Sequence, residues 1–269
     1  MNAGVPEPPG RPSTTRQVSD YYEAYWQPDL ARTRPGPRQP LFPAVDRLVR
    51  RFLHPGDRCL DVGCGDGRAG GLGLQPYQVD YVGVDISETA VQAARARGLQ
   101  AMRIDDSSSL PFADDSFDAV ICLEVLEHLL TPKATVVEMK RVLKPGGVLI
   151  ATTPNVAYWR RRLDLALLGR WNPFGYGLAV EQPWADPHIR FFNPGSLRRL
   201  LVAGGFSAVN VAGHRGSLLG DVPWIGRRLA VEQGSPPYRA LERMWPALFG
   251  CFLNAVARKP SGPVEPKRP

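Results

Sequence analysis

Between residues 59 and 152 the chain alternates two periods of apolar spacing, and this alternation narrows its possible folds more than any other feature. Short apolar runs at 59–62, 79–84, 99–104, 117–123 and 147–152 have the length and composition of buried strands. Helical segments stand between them. Ser87 is placed to cap a helix that stops at Gly98, and Thr131 with Pro132 opens another that ends before Lys144-Pro145-Gly146-Gly147. Strand, helix, strand repeated in this way requires parallel pairing through right-handed crossovers. The expected class is therefore α/β: an open, mostly parallel sheet with helices on both faces.

A helix over 43–53 precedes the first run, with Val45, Leu48, Val49, Phe52 and Leu53 along one side and Pro43 at its start, where a missing N–H costs nothing. After Thr152 the rhythm changes. The spacing predicts a helix over 154–168 capped by Asn155, a Trp/Pro/Gly-rich loop over 169–187, a helix over 194–203 capped by Asn193, and strands at 206–211 and 249–256. The proline-rich ends, 1–18 and 259–269, read as solvated tails around a single domain over 19–258. Within it, Tyr22, Tyr25 and Trp26 share a helical face, and Pro35, Pro37 and Pro40 connect that face loosely to the body, so 19–42 is expected to act as a mobile N-terminal lid. Segments 154–192 and 214–248 are expected to roof the substrate pocket.

Apolar residues make up 43% of the 269 residues, charged residues 22% and aromatics 9%, the composition of a soluble globular chain. No run approaches the roughly 18 apolar residues of a membrane span, and the first residues carry no export core, so neither an anchor nor a signal peptide is expected. Cys59, Cys64, Cys122 and Cys251 lack C-x-x-C spacing, which favours a reducing cytoplasm over a zinc or disulfide framework. The formal charge of +7 permits an anionic partner without requiring one.

The most informative segment is Leu60-Asp61-Val62-Gly63-Cys64-Gly65-Asp66-Gly67, a glycine-rich turn directly after a strand. Asp85 ends the next strand 22 residues beyond Gly63, where a carboxylate can take the vicinal hydroxyls of a ribose. Charge separates the adenosine cofactors. Asp61 and Asp66 flank the turn and would repel a pyrophosphate, whereas a cofactor carrying an ammonium and a sulfonium is attracted, which favours S-adenosylmethionine over NAD. Asp106, after the third run, is placed to accept from an adenine amino group, and the Ser107 N–H to donate to the ring.

These residues, with Leu110-Pro111-Phe112, Ser116-Phe117-Asp118, Glu124-Val125-Leu126-Glu127-His128 and the Lys144-Pro145-Gly146-Gly147 turn, resemble the class I S-adenosylmethionine-dependent methyltransferases over 59–152. Thr153-Pro154-Asn155 and Asp186-Pro187-His188-Ile189-Arg190-Phe191-Phe192 are similar to a subgroup associated with glycan or specialised-metabolite biosynthesis, and more distantly to MetW-type proteins. The resemblance implies a Rossmann-like seven-stranded sheet with its last strand antiparallel. It implies cofactor contacts from Asp61, Gly63, Cys64, Gly65, Asp85, Ile86, Asp106, Ser107, Leu123 and Glu124. The chain departs from it at Gly70, Gly71, Gly73 and Pro76, which predict a short or distorted helix after the glycine turn.

Methyl transfer is an in-line displacement, and a base is needed only where the acceptor must lose a proton, as a hydroxyl does. His188 and His128 are the catalytic candidates. Tyr22, Trp26, Tyr158, Trp159, Trp184, His188 and Arg190 are the substrate candidates. No metal is expected, because Asp186 and Glu181 belong to no spaced set of acids and amides. Arg160, Arg161 and Arg162 spread over about 200° of helical arc and read as solvated surface. Glu124 and Val125 stand where amino-directed nucleic-acid methyltransferases carry Asn-Pro-Pro-Tyr, so the expected partner is a small molecule, not a nucleic acid or a membrane, and the expected state is a monomer or homodimer. The competing readings are a regulatory, MetW-type protein with the methyltransferase fold and an NAD-linked oxidoreductase.

Overall fold

The computed structural model describes residues 15–27, 43–169, 188–214 and 236–262. Helix α1 (Thr15–Tyr25) is followed by α2 (Pro43–Phe52), β1 (Arg58–Val62), α3 (Gly71–Leu74), β2 (Asp80–Asp85), α4 (Glu88–Ala96), β3 (Ala101–Arg103), β4 (Phe117–Leu123), α5 (Pro132–Val142) and β5 (Leu143–Pro154). The second half adds α6 (Trp159–Leu168), α7 (Pro194–Ala203), β6 (Ser207–His214), α8 (Pro236–Met244), α9 (Pro246–Phe249) and β7 (Phe252–Arg258). The strands form one sheet in the order β3-β2-β1-β4-β5-β7-β6. The first five pair in parallel, and β7 runs antiparallel to both β5 and β6. The expected Rossmann-like seven-stranded sheet is thus present, with its chain-terminal strand reversed.

Both faces of the sheet are covered, and alternation along each strand supplies both. From β1, β4 and β5, Leu60, Val120 and Leu149 pack on the face carrying Val136 and Met139 of α5 and Leu197 and Leu201 of α7. Their neighbours Cys59, Ile121 and Ile150 pack on the opposite face, against Val45 and Val49 of α2. Each such aliphatic chain contributes about 1.5 to 3 kcal/mol by leaving water. The chain winds from β1 outward to β3 and then returns to β4 on the other side. Neighbouring crossovers therefore diverge at the carboxyl ends of β1 and β4, where sheets of this kind open a crevice.

Local signals hold for several helices. Ser87 accepts from the Ala90 N–H at 3.2 Å, and Asn193 with Ser196 forms a reciprocal capping box. The glycine-rich helix α3 is one turn long and passes into a short 3-10 turn, Gln75–Tyr77, as its composition predicts. Four expectations need correction. Thr131 makes no side-chain cap bond to α5. Asn155 caps nothing: it is fully buried, and its Nδ2 donates to the carbonyls of Pro246, Ala247 and Gly250, so the helix starts later, at Trp159. The final strand begins at Phe252, since Pro246–Phe249 is a helical turn. Arg161 is 7% exposed, with Nη1 donating to the Asn155 carbonyl at 2.6 Å, whereas Arg160 pairs with Asp164.

Order also extends into both expected tails. Val18 is buried in α1, and Lys259 bonds the Leu143 carbonyl at 2.7 Å and Asp115 at 2.6 Å. Residues 1–14 and 263–269, the Pro35–Pro37–Pro40 connector, and 170–187 and 215–235 of the two roof segments lie outside the described residues. No helix among the described residues is long and apolar enough to cross a membrane.

Candidate active site

After β1 the chain turns through Gly63 at φ +77° and Gly65 at φ +53°, conformations that L side chains rarely adopt. The N–H groups of Gly63 and Cys64 both donate to the Val84 carbonyl, at 2.8 and 2.9 Å, which folds the turn back over β2. Space excludes a side chain too. A Cβ on Gly63 would lie 2.4 Å from Val125 Cγ2, and one on Gly65 would lie 2.7 Å from the Trp26 ring.

Asp85 ties this turn to the end of β2. Its Oδ2 accepts from the Gly65 N–H at 2.8 Å and its Oδ1 from the Ser87 N–H at 3.0 Å. Burial raises the Asp85 carboxyl above its ordinary range, although these backbone donors favour its charged form. Beside it opens a cavity of about 330 Å³, within the size range of small-ligand sites. Gly63, Gly65, Asp85, Ile86, Ser107 and Glu124 line it together with Tyr22, Trp26, His128 and His188.

The remaining predicted residues lie elsewhere. Asp61 is fully buried beneath the turn, with Oδ2 accepting from the Tyr81 hydroxyl at 2.9 Å. Burial lifts its pKa to about 7, against the Tyr81 hydrogen bond and with the Asp85 charge adding to the rise. Cys64 faces Gly83 as a small buried spacer, and burial pushes its thiol up. Asp106 spends its carboxylate on Ser108, and Leu123 packs against the α2 face of the sheet. Tyr158 is buried ahead of α6 with Trp159 edge-on beside it. Arg190 donates to the Leu130 carbonyl at 2.8 Å. Trp184 lies outside the described residues.

The electrostatics therefore come from a different set of acids than the sequence pattern indicated. Asp66 pairs with Arg68 at 2.5 Å and Arg97 at 3.2 Å, so two guanidinium groups balance it, and Asp61 lies below the surface of the cavity. Asp85, Glu124 and Glu127 supply the acidic lining instead. Glu127 is the residue that sequence reasoning missed. It is 1% exposed, and burial, followed by the charge of Glu124, drives its carboxyl well above the usual carboxylate range. Its Oε2 accepts from Thr153 Oγ1 at 3.1 Å. Its sequence signal was its place in the Glu124-Val125-Leu126-Glu127-His128 run, three residues after Glu124 and next to His128.

The two histidines meet here. Their ring centroids are 4.4 Å apart, and Tyr22 packs edge-on against His128. His188 is 60 residues away in sequence, and the Glu127 carbonyl brings its segment in by accepting the N–H groups of Ile189 and Arg190 at 3.0 and 2.9 Å. Helix α1 covers the crevice. Glu23 accepts from Ser87 Oγ at 2.8 Å and from the N–H and hydroxyl of Thr89, fastening the aromatic helix to the start of α4.

A bare-backbone turn, a buried acid at the end of β2 and a lining of acidic side chains suit a nucleoside bearing positive charge better than a pyrophosphate. Tyr22 adds a buried hydroxyl without a hydrogen-bond partner among the described residues, and it faces the same cavity. Strand order and site together define a class I methyltransferase fold, and residues 60–151 match the family described as a methyltransferase domain. The chain belongs to the S-adenosylmethionine-dependent methyltransferases. It is 30% identical over 207 residues to a Mycolicibacterium smegmatis protein named "Probable S-adenosylmethionine-dependent methyltransferase", covering 68% of this chain and 74% of that one. It is 33% identical to the ubiquinone biosynthesis O-methyltransferase of Idiomarina loihiensis, over 59% of this chain and 65% of that protein. The same identity, 33%, relates it to the tRNA (carboxymethyluridine(34)-5-O)-methyltransferase of Arabidopsis thaliana, over 50% of this chain. The chain spans 32% of the length of this plant relative.

Proposed function

We propose that this chain transfers a methyl group from S-adenosylmethionine to a hydroxyl oxygen of a small molecule such as a sugar or specialised metabolite. The observation that carries the reading is the pairing of His128 and His188 at 4.4 Å on the wall of the cavity that Gly63, Gly65 and Asp85 line. The cofactor supplies a methyl already activated by its sulfonium. The chain must hold the nucleophile in line, exclude water and accept a proton. Asp85 is placed to take ribose hydroxyls, with Gly63 and Gly65 presenting bare backbone and Ser107 its main chain. Tyr22, Tyr25 and Trp26 line the crevice beside the imidazoles, which receive the hydroxyl proton in this reading. The I. loihiensis relative, an O-methyltransferase by name, supports the oxygen acceptor. The reading places the enzyme in the cytoplasm as a monomer or homodimer. The test is methyl-labelled cofactor against a panel of hydroxyl, amine and carbon acceptors. Labelled O-methyl product with release of S-adenosylhomocysteine is expected, and labelling confined to amines or carbon would overturn the oxygen assignment.

The tRNA-modifying relative favours a second acceptor class, and the +7 charge is compatible with it. An RNA acceptor requires tRNA binding whose affinity falls steeply with salt, and binding without salt dependence removes it.

A further inference from the structure

We propose that Glu127, His128 and His188 form a binding site for one divalent transition cation, whose open coordination positions take the acceptor hydroxyl. Its geometry is independent of the proposed methyl transfer, and its purpose rests on that reading.

Each of the three residues offers a donor atom, and the three atoms lie within 4.8 Å of one another. Ligands bound at about 2.0 to 2.2 Å from a shared cation stand roughly 3 to 4 Å apart, so small side-chain rotations close the set. A second observation points the same way. Glu127 Oε1 is buried, accepts no hydrogen bond among the described residues, and sits 3.9 Å from His128 Nε2. That separation is too long for a hydrogen bond and exceeds by a few tenths of an ångström the spacing of two ligands around one tetrahedral ion, a gap that side-chain rotation closes. A carboxylate oxygen left bare at this depth is costly unless a cation meets it.

The surroundings fix the donors as a metal site requires. Thr153 Oγ1 orients the Glu127 carboxylate by holding Oε2, which leaves Oε1 to face the imidazoles. The Glu127 main chain holds the His188 segment, so a single residue supplies one ligand and positions another. Two imidazoles and one carboxylate favour zinc, manganese, iron or cobalt over magnesium or calcium, which prefer oxygen donors throughout. Three protein ligands leave coordination positions open, and all three residues line the cavity.

The chemistry follows. A hydroxyl bound to the cation becomes more acidic, as bound water does when its pKa falls from 15.7 to about 7, and it releases its proton to solvent. The oxygen lone pair then forms the O–C bond to the methyl while the C–S bond breaks and its electron pair stays on sulfur. Charge balances and nothing is oxidised. With a cation bound the imidazoles act by holding it, and solvent replaces them as the proton acceptor.

The test strips the purified chain with a chelator and titrates Co²⁺, followed by calorimetry and visible absorbance. One equivalent is expected to bind with ligand-field bands in the visible region. His128→Ala and His188→Ala should each weaken binding by more than the roughly tenfold to hundredfold that loss of an outer-shell partner costs at other metal sites. Circular dichroism and thermal melting of the same variants report that they are folded. Glu127→Gln, which keeps the shape of the side chain, should weaken Co²⁺ in parallel. Absence of saturable binding, or Co²⁺ affinity unchanged in His188→Ala, overturns the site. If the chain binds S-adenosylhomocysteine and methylates a hydroxyl with no cation present, the metal proposal fails alone. If Co²⁺ binds as expected and no hydroxyl is methylated, the acceptor reading fails alone.

Discussion

The Gly65 N–H donates to Asp85 Oδ2 at 2.8 Å, so the acid expected to grip a ribose also clamps the glycine turn that the ribose would rest against. Shape and charge of the pocket are therefore linked through one side chain. Asp85→Ala should weaken S-adenosylhomocysteine binding by about 2 to 4 kcal/mol through lost charge-assisted hydrogen bonds. Asp85→Asn keeps one acceptor oxygen and should lose less. Calorimetry on both variants checks the order, and equal losses would detach the charge from the effect.

Gly63→Ala places a methyl 2.4 Å from Val125 Cγ2 at a φ of +77°. Strain and overlap act together, and a destabilisation of about 1 to 3 kcal/mol is expected from each of these mechanisms acting alone. Urea unfolding of this variant should show a lower midpoint with an unchanged slope.

Asp61 titrates near pH 7 in the folded chain, above its unfolded value. A folded-state pKa raised in this way favours folding most when the group is protonated in both states. Its contribution is fully present below pH 4 and falls as pH rises towards 7, by up to about 4 kcal/mol. Asp61→Asn, which still accepts from Tyr81 through its amide oxygen, should melt less differently between pH 6 and pH 8 than the native chain. Parallel melting curves of the two proteins across that interval would show that Asp61 carries no such dependence.

Glu23 fastens α1 to the first turn of α4. Burial opposes its charge, and the bonds from Thr89 and Ser87 outweigh that, holding its pKa below the ordinary value. A lowered pKa makes the latch strong above the unfolded value and weak as pH falls through the folded one. Glu23→Ala, and removal of residues 1–30, should leave a folded protein with weaker S-adenosylhomocysteine binding. Unchanged affinity in the truncation would remove the lid from the cofactor site.

The sheet was legible because each of its buried runs is short, apolar and bounded by a cap or a glycine, information carried within ten residues of chain. Gly63, Gly65 and Asp85 were legible for the same reason. Asn155 was not: after a proline it has the look of a helix cap, but the three carbonyls it serves belong to residues more than ninety positions later. Arg161 looked like surface between two other arginines, and only the fold brings Cys251 to it. Asp66 was given to a ligand because its balancing partner Arg97 is supplied by the end of α4. Glu127 was passed over because the short 3-10 turn Leu126–His128 breaks the helical period that would have assigned it a face.

The main-chain tether at Glu127 has a corollary. Ile189 and Arg190 hang from that carbonyl, so the anchor for His188 lies on its C-terminal side. Substitutions on the N-terminal side of His188 therefore leave these two main-chain bonds in place.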